Sequence, residues 1–398
     1  MMIHPFSIAR LPQIIFGEGH ITQVPTHVAH YGQRVLLITG KHSFQQTTHW
    51  SDLQQALHDK QITWEHFTVS GEPSPQLVDQ AVQQFFHVNI DVVLGIGGGS
   101  VLDAAKAIAG LLPFGNSVMD HLEGVGKDIP YQGPAIPFIA VPTTAGTGSE
   151  ATKNAVLSIQ GEHGFKKSFR HDTLMPQIAV IDPTLLSSCP PALIAADGMD
   201  AFTQLLESYV STRANPITDA LAVSGITAFK QGFFAVWENK DAHAAHIGRS
   251  QLAYASLLSG INLAQTGLGS VHGLASPLGA YFPCPHGVVC GTLVAEATDI
   301  NITALQARAP KSVALDKYAH IGRLLVNDPH LNHQTALAQI VNILKEWTNH
   351  LKLPKLSTYG MQTQDIDKVV ANSRGSSMKT NPVVLTDEEI RELVMRRL

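Results

Sequence analysis

The sequence predicts a chain in two parts: an α/β domain built on a mostly parallel sheet, followed by an all-α domain. Three observations carry this. Short apolar runs alternate with helix-compatible stretches as far as residue 183. Strand signals then stop. From there on, long helical patterns are broken only by Pro, Gly and Asn. Strands separated by helices make βαβ units, whose sheets are parallel and covered on both faces. A chain of 398 residues exceeds one ordinary core, so two domains are expected. "IDPTLLSSCPP" (181–191) holds three prolines and is the expected junction, giving domains 1–187 and 188–398.

The elements follow in order. "RVLLITG" (34–40) is an apolar run ending in glycine and reads as a buried strand. "TWEHFTV" (63–69) is a second strand. "SPQLVDQAVQQFFHV" (74–88) has helical spacing, with Ser74 placed to cap it. "DVVLGIG" (91–97) is a third strand, and the Ala-rich "SVLDAAKAIAGLL" (100–112) a helix. "PFIAVP" (137–142) and "QIAVIDP" (177–183) complete the strand set. "PALIAADGMDAFTQLLESYVS", "PITDALAVSGITAFKQGFFAVW" and "AAHIGRSQLAYASLLSGINLA" are the long helices of the second half.

Composition narrows the function. The chain is 44% hydrophobic and 15% charged, which is globular and not disordered. A net charge of −5 without a long basic run argues against nucleic acid. No window approaches twenty uninterrupted apolar residues, so no membrane span is expected. The opening stretch has no basic region followed by an apolar one, so no signal peptide is expected. Cys189, Cys284 and Cys290 do not form a CxxC pair, which fits a reduced, cytoplasmic setting.

Four stretches carry chemistry. In "LGIGGGSVLDAAK" (94–106) a strand runs into Gly97, Gly98, Gly99 and Ser100 and a helix begins, with Asp103 in its first turns. Glycines let a ligand approach the backbone, and a helix N-terminus suits a pyrophosphate. A tight strand-to-helix turn would also explain them. "VPTTAGTGSEAT" (141–152) gathers Thr143, Thr144, Thr147 and Ser149 among glycines, either as ribose and phosphate contacts or as a capped loop. In "DGMDAFTQLLESY" (197–209) Asp200, Gln204 and Glu207 fall on one helix face. Glu207 reads as a structural hydrogen bond or a solvated position, not as a ligand. Asp200 together with His272 and His286 of "VHGLASPLGAYFPCPHG" (271–287) would offer a hard oxygen and two imidazoles, a set suited to zinc or ferrous iron. Cys284 and Cys290 flank His286; a redox or zinc role is open to them, but buried cysteine is more often a small inert hydrophobe, and that reading is preferred.

These motifs, in this order, resemble the iron-containing (group III) alcohol dehydrogenase family. The opening "IIFGEG" and the tail "MKTNPVVLTDEEIREL" (378–393) resemble it too, so the likeness covers essentially the whole chain. The resemblance implies a Rossmann-like nucleotide-binding domain, a helical metal-binding domain, and the fold shared with dehydroquinate synthase. It implies NAD(P), one divalent metal (iron or zinc), a small alcohol or aldehyde substrate, and a homo-oligomer, commonly a dimer. It places metal ligands at Asp200, His272 and His286. The family's fourth ligand, a histidine, falls at Gln204 here, a neutral amide and a poorer donor. Many members carry a further histidine, proposed as a proton relay, where this chain has Ser276. Lys166 matches a lysine near the nicotinamide ribose, with Lys167 leaving the register open. The first strand of such folds often ends in a carboxylate that favours NAD. Gly40 and Lys41 stand there instead, which tilts the expectation to NADP.

Three other readings share these motifs. One is a metal-independent reductase of the maleylacetate reductase type, and one a lyase similar to dehydroquinate synthase. The third is a protein that binds the cofactor without turnover. Retention of Asp200, His272 and His286 favours the metal-assisted dehydrogenase over the first.

Overall fold

The computed structural model describes residues 5–398. Six strands form one parallel sheet in the order β1-β8-β5-β4-β2-β3. They are β1 (Gln13–Phe16), β2 (Arg34–Gly40), β3 (Thr63–Val69), β4 (Val92–Gly97), β5 (Phe138–Pro142) and β8 (Ile178–Ile181). Strands β6 (Asn154–Ile159) and β7 (Phe165–Arg170) form a separate antiparallel hairpin. Helices α1 (Val24–Tyr31), α2 (Thr48–Asp59), α3 (Pro75–Phe85) and α4 (Gly99–Leu111) complete this unit. Strands β2, β4, β5 and β8 are apolar throughout their centres because helices cover both sheet faces. Two clusters result. One gathers Leu36, Ile38, Val93, Leu102, Ile108 and Phe138, the other Val35, Leu37, Leu53, Leu94, Ile139 and Val180. Alternate residues of one strand thus feed opposite faces.

Three strands went unread in the sequence. β1 has four residues, three of them exposed, and lies at the sheet edge. The hairpin strands have few inward apolar positions, Ala155 and Leu157 on one and Phe169 on the other. Ser74 does cap α3, its hydroxyl accepting from the Leu77 N–H at 3.2 Å.

Strand order places the nucleotide-type crevice. From β2 the chain moves outward to β3, then returns to the other side of β2 at β4. Open α/β sheets bind ligands at such a reversal, beyond the carboxyl ends of the strands. The strands flanking it end in Gly40 and Gly97, and β5 ends level with Gly97 at Pro142.

The second unit runs from Pro191 to Leu398 and includes the hairpin tip Gln160–His163. Its helices are α5 (Pro191–Val210), α6 (Pro216–Glu238), α7 (Ala242–Thr266), α8 (Ser270–Tyr281), α9 (His286–Arg308), α10 (Val313–Val326), α11 (His333–His350), α12 (Ile366–Ala371) and α13 (Asp387–Met395). α6 and α9 are long and apolar enough to cross a membrane by length and composition alone. For α9, 83% of the apolar window is buried inside the protein, so its apolarity is that of a core helix. α5 packs against α6, α7 and α9, and all of its residues from Gly198 to Val210 are buried. A polar residue on such a helix needs a partner.

Candidate metal centre and cofactor turn

The helical unit brings together one side chain from α5, one from α8 and two from α9. Asp200 Oδ1 lies 3.1 Å from His272 Nε2 and 3.7 Å from His286 Nε2. Cys290 joins them, its Sγ 3.5 Å from His272 Nε2 and 3.8 Å from His286 Nε2. All four donor atoms lie within 4.8 Å of one another. Asp200, His272 and Cys290 are buried and His286 is half-buried. Cys290 was read as inert core. It sits four residues after His286 on the same helix face, and that spacing was the available signal.

Glu207 organises this cluster from behind. It is buried about two turns along the same face of α5 from Asp200 and accepts the Val271 N–H at 2.7 Å and the Gly269 N–H at 3.0 Å. Its Oε2 also lies 2.7 Å from His272 Nδ1. A proton on Nδ1 leaves the Nε2 lone pair facing Asp200, Cys290 and His286, and such carboxylate–histidine pairs are how metal-binding imidazoles are oriented. Gly269 must be glycine here, because a β-carbon would stand 2.9 Å from Glu207 Oε1. Asn381 of the C-terminal tail accepts the Ser270 N–H at 3.0 Å. Side chains therefore accept the N–H of the N-cap Gly269 and those of the first two residues of α8, and Asn381 had no sequence signal beyond lying in the tail motif.

The electrostatics favour a cation. Burial alone would lower the His272 pKa, yet Cys290, Asp200 and Glu207 around it hold it well above the ordinary imidazole value. Burial would raise Asp200, but the His286 and His272 imidazoles hold its carboxyl below the usual carboxylate range. Burial, and then Asp200, push the Cys290 thiol up to about 12. A buried carboxylate, two imidazoles and a thiol are a donor set that zinc and related divalent ions take readily. Gln204 lies buried one turn along α5 from Asp200. Ser276 lies one turn beyond His272 on α8 and is exposed.

The α/β unit builds its candidate site from backbone. Gly97 ends β4, Gly98 is the extended residue before α4, and Gly99 and Ser100 begin that helix. The residue before α4, Gly98, has no side chain to cap the helix, and its carbonyl accepts the Val101 and Leu102 N–H groups at 2.9 and 3.1 Å. The next loop presses against this turn. A β-carbon on Gly99 would stand 2.7 Å from Thr147 Oγ1, and one on Gly98 3.2 Å from Thr144. Close packing therefore accounts for these glycines as well as any ligand would. Thr143, Thr144 and Thr147 are half-buried in that loop.

Asp103 and Ser149 are engaged with each other. Ser149 Oγ donates to Asp103 Oδ1 at 2.5 Å and the Val156 N–H donates to Oδ2 at 3.1 Å. Lys106, fully buried one turn along α4, donates to Ser149 O and Oγ at 2.9 Å, to Thr152 Oγ1 at 3.0 Å and to Asn154 O at 2.6 Å. It lies 3.5 Å from Asp103. Burial lowers its pKa, and Asp103 opposes this. Sequence reading passed over Lys106, although it is the one cation in an Ala-rich helix. Lys166 is paired with Glu72 at 2.7 Å, while Lys167 is exposed. Lys41 is exposed just beyond β2, and Gly40 has room for a β-carbon, with no atom nearer than 3.9 Å.

Comparison with known proteins follows the same division. Residues 12–183 match the iron-containing alcohol dehydrogenase family, and 194–398 match the C-terminal region of the Fe-containing alcohol dehydrogenase family. The chain is 32% identical to alcohol dehydrogenase 4 of Schizosaccharomyces pombe, over 98% of this chain and 88% of that one. It is 27% identical to an NAD-dependent methanol dehydrogenase of Bacillus methanolicus, over 97% and 98%. The crystal structure of an archaeal halo-thermophilic alcohol dehydrogenase from a Red Sea brine pool superposes with a TM-score of 0.89 at 25% identity, covering 100% of both chains. With both family regions matched and a 32%-identical relative aligned along almost its whole length, this chain belongs to the iron-containing alcohol dehydrogenase family of oxidoreductases.

Proposed function

We propose that this protein is an NAD(P)-dependent, metal-assisted alcohol dehydrogenase that also runs in reverse as an aldehyde reductase. The convergence of Asp200, His272 and His286 carries the proposal. We assign these three as ligands of one divalent ion, with Gln204 beside them as a weak further donor. When bound, the ion supplies a Lewis acid for the substrate oxygen, and the nicotinamide supplies the hydride acceptor or donor.

The chain's own groups bind and orient. Asp200 brings a negative charge into a buried site, and Glu207 fixes the His272 ring through Nδ1. The N-terminus of α4, reached across Gly97, Gly98, Gly99 and Ser100, suits a pyrophosphate. Thr143, Thr144 and Thr147 offer hydroxyls beside that turn, which Asp103, Ser149 and Lys106 hold in place. Glu72 holds the Lys166 ammonium for a ribose hydroxyl. Gly40 leaves no carboxylate to repel a 2′-phosphate and Lys41 can neutralise one, which supports NADP use. Ser276 Oγ, exposed one turn from His272, is placed to pass the substrate's hydroxyl proton outward. The three free cysteines suit a cytoplasmic setting. The edge strand β1, with Ile14 and Phe16 each 36% exposed, favours a homodimer.

A panel of small alcohols and aldehydes, assayed with NAD and NADP before and after chelation, tests this. Turnover should vanish on chelation and return with zinc or iron. His272→Ala should lose metal binding and lower kcat/KM by on the order of 10³-fold. Turnover indifferent to chelation would point to the metal-independent reductase reading. Cofactor binding without any turnover would point to a binding protein.

A further inference from the structure

We propose that Cys290 is the fourth protein ligand of the metal, taking the place that Gln204 leaves weak, and that it makes zinc the metal this chain prefers. The inference rests on the metal-assisted reading above and adds a ligand and a metal to it.

The argument is geometric. A tetrahedral ion with bonds of about 2.0–2.3 Å to oxygen, nitrogen and sulfur needs donor atoms about 3.3–3.6 Å apart. Four of the six donor–donor edges measure 3.1 Å (Asp200 to His272), 3.7 Å (Asp200 to His286), 3.5 Å (Cys290 to His272) and 3.8 Å (Cys290 to His286), and the other two lie within 4.8 Å. Cys290 Sγ thus closes the cluster at ligand spacing from both imidazoles. His286 and Cys290 are four residues apart on α9, so one rigid helix presents both donors on one face. Of the chain's two other cysteines, neither belongs to the cluster.

The chemistry of the neighbours agrees. Gln204 can offer only a neutral amide oxygen, while a thiolate brings charge and softness. Binding a divalent ion would release the Cys290 proton to solvent, and Asp200 with the thiolate would then balance the two positive charges. Iron in this family is held by oxygen and nitrogen in the pattern the sequence resembles. A sulfur donor shifts preference toward zinc, which takes thiolate and imidazole together. Four protein ligands leave a fifth position for substrate, as zinc can expand its coordination.

Cobalt(II) and X-ray absorption read the sulfur directly. The full-length protein, stripped with a chelator and reloaded with one equivalent of cobalt(II), should show a near-ultraviolet thiolate-to-cobalt charge-transfer band. The zinc-loaded protein should show a sulfur scatterer at about 2.3 Å. Cys290→Ser should abolish both signals and weaken zinc binding on the order of 10–100-fold. Cys284→Ala should keep them. Adding Gln204→His to Cys290→Ser should restore affinity without restoring the band. Cobalt bound with visible ligand-field bands but no charge-transfer band overturns the cysteine ligand and leaves the metal-assisted reading intact. No stoichiometric metal binding by the wild-type protein overturns both. If Cys290→Ser fails to fold, the wild-type spectra alone decide the point.

Discussion

Two carboxylates, the half-buried Asp103 in the α/β unit and the buried Glu207 in the helical unit, hold neighbouring segments by different means. Asp103 accepts from a side-chain hydroxyl and a backbone N–H, and Lys106 then ties the same loop down with four more bonds. What it positions is backbone: a glycine turn and the N-terminus of α4. Glu207 accepts from two backbone N–H groups and from His272 Nδ1. What it positions is a side chain whose far nitrogen faces three other donors. The first arrangement stabilises shape, so damage to it should appear as lost stability and poorer cofactor binding. The second controls a tautomer and a direction, so damage should appear in metal affinity.

The largest effect should come from Lys106→Met. Removing the ammonium takes one donor from each of the Ser149 and Asn154 carbonyls and removes the cation beside Asp103. We expect a loss of about 3 kcal/mol of stability and weaker NAD(P) binding, with zinc affinity unchanged in titrations of the folded variant. Glu207→Gln should do the converse. The amide keeps one acceptor but loses its hold on Nδ1, so zinc affinity should fall roughly 10–100-fold while NADP affinity stays put in calorimetry. If metal and cofactor losses move together in either variant, the division of labour between the two carboxylates is wrong.

A smaller effect sharpens the cofactor side. Gly40→Asp has room for its side chain. The new carboxylate repels a 2′-phosphate and accepts from ribose hydroxyls, so the NADP-to-NAD preference should drop by about tenfold, one 1.4 kcal/mol interaction. A wild-type enzyme that already prefers NAD strongly would remove the basis for this inference.

The smallest effect is a pH dependence confined to the α/β unit. Glu150 is buried beside Lys106, and burial raises its pKa from 4.5 to about 7. The folded state therefore holds a proton that the unfolded state releases. Stability from this group is full below pH 4.5 and declines as pH rises through 4.5 to about 7. Glu150→Gln should flatten that decline and gain on the order of 1 kcal/mol at pH 8. Thermal melts at pH 5 and pH 8 check it: equal wild-type and variant slopes would show that Glu150 is already ionised in the fold.

The sequence shows most of what the sheet needed. β2, β4, β5 and β8 are legible because a strand covered on both faces is a concentrated apolar run, and β3 because its aromatic and β-branched residues recur along seven positions. β1 and the hairpin are not, because an edge strand or a two-stranded ribbon needs few apolar residues. Asp200, His272 and His286 could be picked out by residue type and order. Cys290 was harder, because its only signal was the four-residue spacing from His286, and a buried cysteine and a ligating one look alike until the neighbouring donors are placed. Lys106 went unread for a related reason: its five neighbouring acceptors come from residues 103 to 154, and no local pattern connects them.

The capping of α8 also sets an order of events. His272 is held by Glu207, which precedes it by 65 residues, but the Ser270 N–H waits for Asn381, 111 residues later. Thr380 beside it closes on the Leu268 carbonyl, 112 residues back. During synthesis α8 therefore emerges with the acceptor for the Gly269 and Val271 N–H groups already made and the acceptor for the Ser270 N–H still to come, so the start of the helix is fully partnered only once the chain extends as far as residue 381.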